Sequence, residues 1–140
     1  MKATVAAILG TRRVLLLDSI TWLAGDDAGH IVVSGSHGGR SAGEYALRFP
    51  LALCCFNDAG VGKDGAGIAA LDMLAARGTP AVAYGHMSAR IGDARDAWEH
   101  GVVTHVNAKA AALGFAPGQP LRDAIARAGI NYPGSPTSPC

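Results

Sequence analysis

The residues able to do chemistry in this chain recur at the ends of short apolar runs. Ile31-Val32-Val33 leads into Ser34-Gly35-Ser36-His37-Gly38-Gly39-Arg40. Leu51–Phe56 leads into Asn57-Asp58 and the turn Gly60-Val61-Gly62-Lys63-Asp64. Ala81–Tyr84 leads into a segment carrying His86, Ser88, Arg90 and Asp93. A neutral imidazole at His37 can take a proton from a nucleophile near neutral pH. Gly38 and Gly39 beside it let backbone approach a ligand closely. The next run ends in two thiols. Cys55 lies nearer the end and is the candidate nucleophile for that base, whereas the two-residue period of a strand turns Cys54 to the other face. Either thiol can instead pack as a small buried hydrophobe.

Basic residues in the same loops suit an anionic substrate group. Arg90 offers a planar fork for a carboxylate, with an ion pair to Asp93 or Asp58 as the structural alternative. Lys63 stands in a Gly-rich turn that opens a helix, where backbone N–H groups attract anions. The turn lacks P-loop spacing, because Asp64 follows Gly62-Lys63 where a hydroxyl residue is needed. A carboxylate, amide or monophosphate fits it better than a nucleotide. Backbone amides around Gly38–Gly39 or Gly60–Gly62 are the candidate oxyanion donors. His37, His86, His105, Asp18 and Asp58 show no metal-ligand spacing, so neither a metal nor a cofactor is expected.

An apolar strand ending in His-Gly (Ile31–Gly38), followed by an apolar strand ending in Cys (Leu51–Asn57), resembles the core of caspase-like cysteine peptidases. The likeness rests on those two blocks. It implies His37 as base and Cys55 as nucleophile on an α/β fold.

The elements that must hold these residues alternate. Strand-like runs are Thr4–Leu9, Val14–Asp18, Ile31–Ser34, Leu51–Phe56, Ala81–Tyr84 and Val102–Val106. Several are continuously apolar, as in parallel sheets covered on both faces. Helical stretches lie between them. Ser41 and Glu44 have capping-box spacing. Asp64 caps a helix running to Arg77, with Gly78 as its stop. Asp93 and Asn107 cap two further helices, stopped by Gly101 and Gly114, and Pro120 opens a last one. The expected fold is α/β: residues 1–130 as one three-layer domain with a mostly parallel sheet of about five to six strands, Rossmann-like or caspase-like. Residues 131–140 read as an extended or disordered tail. Ligands of such sheets bind beyond the carboxyl ends of the strands. The loops after the strands, including Thr104-His105-Val106-Asn107, are therefore expected to line one edge.

Composition narrows the class. The chain has 140 residues, 49% hydrophobic and 16% charged, with a formal charge of +1. That apolar share excludes a disordered chain, and the charge balance gives no field for nucleic acid or an anionic membrane. No apolar run is long enough to span a bilayer, and three cysteines without Cys-x-x-Cys spacing argue against a disulfide framework. A cytoplasmic location and a homo-oligomer follow as expectations, the latter from Ala-rich, weakly charged helix faces. The expected function is hydrolysis of an amide-like bond in a small anionic molecule. Its substrate would lie among Ser36, Gly38, Gly39, Arg40, Asn57, Asp58, Lys63, His86, Ser88 and Arg90. The alternative is a non-catalytic binding module for a small carboxylate or phosphate.

Overall fold

The computed structural model describes residues 3–128, so the expected tail at 131–140 lies outside the described residues. Six strands form one sheet in sequence order: β1 (Thr4–Leu9), β2 (Arg12–Leu17), β3 (Ile31–His37), β4 (Leu53–Asn57), β5 (Ala81–Tyr84) and β6 (Val103–Val106). The sheet is mixed. The pairs β2/β3, β3/β4 and β4/β5 are parallel, whereas β1 and β6 run antiparallel to their neighbours. This corrects the mostly parallel expectation. β1 and β2 are joined only by Gly10 and Thr11, and a two-residue link can only reverse the chain.

Helices cover both faces, which is why the central strands are mostly apolar. Leu15, Leu17, Val32, Cys54, Phe56, Ala81 and Ala83 pack with α1 (Arg40–Ala46) and α2 (Ala69–Ala75). Val14, Leu16, Ile31, Val33, Cys55, Val82 and Tyr84 pack against α3 (Ala94–His100), α4 (Ala108–Ala112) and α5 (Leu121–Arg127). The buried hydroxyls of Ser34 and Tyr84 inside the sheet are satisfied. Tyr84 donates its hydroxyl to Ser34 O at 2.6 Å, and Ser34 Oγ donates to Cys55 O at 2.8 Å. No helix among the described residues is long and apolar enough to cross a membrane.

Helix starts divide into two groups. Asp93 Oδ1 accepts from Asp96 N at 2.9 Å, and Asn107 Oδ1 accepts from Ala110 N at 2.9 Å, both as expected. Ser41 is not a cap: α1 begins at Arg40 with Gly39 as N-cap, so Ser41 lies inside the helix. Asp64 is not a cap either. It has φ 57° within an irregular 3-10 stretch, and α2 starts only at Ala69.

Candidate functional site

The carboxyl ends of β2, β3, β4 and β5 meet at one sheet edge. Because β6 is antiparallel, its first residues, Val103 and Thr104, join that edge, and Asn107 is carried to the opposite end. There Asn107 bonds Ala81 N, Leu71 O and Thr79 O at 3.0–3.1 Å and fastens α2 and β5 together. The expected fifth loop segment is thereby split between the two ends of the sheet.

Several expected site residues hold the scaffold. Ser36 Oγ accepts from Ile20 N at 2.9 Å. Asn57 is buried, bonding Ala89 O at 3.0 Å and Ala59 N at 2.8 Å. Ser88 Oγ donates to Gly85 O at 2.7 Å and accepts from Val102 N at 3.0 Å. Arg90 lies 3.5 Å from Asp93 in an exposed ion pair. Gly38 is packed against Phe56 and the Gly67 carbonyl, and Gly39 lies under the His37 ring. The amides of Gly38, Gly60, Val61 and Gly62 are all engaged within the protein, so they are not free oxyanion donors. Lys63 and Arg40 are exposed.

His37 and Cys55 are not brought together as a dyad. His37 is exposed and lines a 290 Å³ hollow with Ser19, Thr21, Ser41 and Tyr45. It pairs in register with Asn57, two residues beyond Cys55. Cys55 has 0% exposure and sits in the core cluster of Val33, Val82 and Tyr84. Burial, with a smaller contribution from Cys54, pushes its thiol well above the ordinary range. A thiolate is the nucleophilic form, so the role that the caspase-like resemblance gives Cys55 has no support in this geometry.

What the edge does assemble is a carboxylate with two imidazoles. Asp58 follows β4, is 4% exposed, and spends both oxygens locally. Oδ1 accepts from Gly60 N at 2.8 Å and His86 N at 3.0 Å, and it lies 3.1 Å from His86 Nδ1. Oδ2 accepts from Thr104 Oγ at 2.8 Å. Desolvation pulls the carboxyl upward, but the hydrogen bonds from Gly60, Thr104 and His86 outweigh it and hold Asp58 below the ordinary carboxylate range. An ionised carboxylate only accepts, so His86 must carry its proton on Nδ1. In the neutral ring Nε2 is then the acceptor, on a side chain that is 48% exposed. Thr104 Oγ also lies 3.0 Å from His105 Nδ1, which extends the chain to a second histidine.

The turn after Asp58 is built around this arrangement. Ala59, Val61 and Asp64 have φ of 50°, 70° and 57°, a left-handed conformation that is a clear outlier for the β-branched Val61. Val61 N donates to Asp58 O and Gly67 N to Val61 O, each at 2.6 Å. The backbones pass so closely that a Cβ on Gly67 would strike the Asp58 carbonyl oxygen and lie 2.8 Å from Val61 O. Strain of this kind persists only where the surroundings enforce it, and it is common at functional sites.

Among the described residues, no group of three or more His, Cys, Asp or Glu side chains converges as for a metal ion. Comparison with protein-family models, curated proteins and solved structures finds no match to this chain.

Proposed function

We propose that this domain is a small-molecule hydrolase whose general base is His86, oriented by Asp58, with water as the nucleophile. The observation that carries the reading is the Asp58–His86 pair: a buried, ionised carboxylate fixing the tautomer of a half-exposed imidazole at the sheet edge. Such a pair supplies general acid–base catalysis, worth about 10²–10⁴ in rate. In the step proposed, a water oxygen attacks the carbonyl carbon of an amide-like bond while His86 Nε2 takes the water's proton. The C–N bond then breaks, and the imidazolium returns that proton to the departing amine. With the Gly60–Gly62 amides engaged, the exposed Lys63 side chain is the charge on this turn left to offset the developing oxyanion.

One observation favours the binding-module reading instead. The two cavities at this edge are lined by His37 and by His105, and neither includes His86. A panel of small amides and dipeptides, assayed by amine release, decides between them. Turnover by the wild type that falls at least about a hundredfold in His86→Ala supports the hydrolase. Turnover that is undiminished in His86→Ala refutes His86 as the base, and saturable binding without turnover of any amide supports the module.

A further inference from the structure

We infer that the cavity between α2 and β6 takes a small zwitterion of dipeptide size. Its status as a substrate pocket rests on the hydrolase reading above, but its status as a binding site does not. The cavity has a volume of 610 Å³ and is the larger of the two at the edge. Its charged lining is Arg40, Asp64 and Asp72. None of the three makes an ion pair among the described residues, where the acid–base pairs are His86–Asp58, Arg90–Asp93 and His100–Asp96. A purely anionic ligand would meet two carboxylates for one guanidinium. A ligand carrying both signs meets both kinds of group: its carboxylate on the Arg40 fork, its ammonium on Asp64 or Asp72. Ile68 and Leu71 supply an apolar wall between the charges. This departs from the anionic substrate expected from the sequence.

The cavity is wired to the same carboxylate. Thr104 and His105 both line it. The Thr104 hydroxyl has one proton, and three acceptors lie nearby: Asp58 Oδ2 at 2.8 Å, His105 Nδ1 at 3.0 Å and Ala83 O at 3.4 Å. The ionised oxygen is the strongest and closest acceptor, so the proton goes there. Thr104 Oγ is then an acceptor toward His105, whose Nδ1 must carry hydrogen, which makes Nε2 the acceptor in the neutral ring. One buried charge thereby sets the tautomer of His86 directly and of His105 through a hydroxyl. Thr104 is a positioning residue in this arrangement.

Amide ¹⁵N–¹H spectra of the full chain test the pocket, with glycyl-L-leucine as the probe. Saturable shifts are expected at Ile68, Leu71 and His105. N-acetyl-L-leucine amide and acetate, each lacking one or both charges, should bind at least roughly tenfold more weakly. Arg40→Gln and the double change Asp64→Asn with Asp72→Asn, all at exposed positions, should each weaken the dipeptide by a similar factor, and Lys109→Gln should not. No saturable shift, or equal binding of the neutral amide, overturns the inference. Imidazole ¹⁵N spectra give the second arm: neutral His105 should be the Nδ1–H form, lost in Thr104→Val and kept in Thr104→Ser. A His105 in the Nε2–H form in the wild type overturns the relay. Dipeptide binding without hydrolysis supports the pocket and removes only the hydrolytic reading.

Discussion

Replacing Asp58 with Asn should destabilise the fold by about 2 kcal/mol at pH 7 and by much less at pH 2. The carboxylate receives four hydrogen bonds, from Gly60 N, His86 N, His86 Nδ1 and Thr104 Oγ. An Asn can keep its amide oxygen at the Oδ1 position and so retain the first three as neutral bonds. Its NH₂ group then faces Thr104, whose hydroxyl can turn toward Ala83 O, already 3.4 Å away. The loss is mainly charge assistance, about 1 kcal/mol per bond for four bonds, because hydrogen bonds to ions are roughly twice as strong as neutral ones. Removing a buried charge recovers part of that, which leaves about 2 kcal/mol. The pH dependence follows from the depressed folded-state value of Asp58. A carboxyl lowered on folding adds stability that is present above its unfolded value, about 3.9, and is lost as pH falls through the folded value. Urea titrations of both proteins at pH 7, 4 and 2 should show the gap closing below about pH 4. Equal stability at pH 7, or a gap independent of pH, would refute the assignment of Asp58 as an ionised hub.

Further outcomes follow from the same packing. Cys54 and Cys55 should resist iodoacetamide in the folded protein by peptide mapping, and Cys55→Ala should cost about 1 kcal/mol while leaving turnover intact; selective alkylation of Cys55 at pH 7 would return it to the site. Gly67→Ala should cost about 3 kcal/mol or more in chemical denaturation, because the new Cβ meets backbone and not a movable side chain. Val61→Gly should raise stability by about 1 kcal/mol through relief of its left-handed conformation, and a lower midpoint would mean that the side chain contributes packing outweighing the strain. Light scattering should give twice the 14.2 kDa of one chain, since edge strand β1 exposes Val5 and Ile8; a monomer mass across dilution removes the dimer.

All six strands were legible, because continuous apolar runs bounded by Gly, Pro, Asn and Asp leave few alternatives. Their directions were less so. The Gly10-Thr11 link already encodes the β1/β2 reversal, but the long connection from Tyr84 to Val103, with a helix inside it, looks the same for a parallel or an antiparallel return. That one ambiguity moved Thr104 toward the edge and Asn107 away from it. It also hid the Thr104–Asp58 bond, which joins residues 46 positions apart. Asp64 and Ser41 have the chemistry of helix caps, yet the left-handed run after Asp58 delays α2 to Ala69, and Gly39 already opens α1. His37 and Cys55 have the residue types of a dyad, and only the register shows the thiol to be two residues short of the edge. Asp58 and His86 were both visible as edge residues; their pairing depends on the side-by-side placement of β4 and β5.

The most direct measurement is the protonation pattern of the His86 ring, read from long-range ¹⁵N–¹H spectra of the neutral imidazole. The expected result is hydrogen on Nδ1 and a bare Nε2 in the neutral wild-type ring, shifting toward Nε2–H in Asp58→Ala, which removes the acceptor, while the histidines remote from Asp58, His30 and His37, stay unchanged. A His86 already in the Nε2–H form, or one indifferent to Asp58→Ala, would contradict the claim that a buried carboxylate prepares this imidazole to accept a proton.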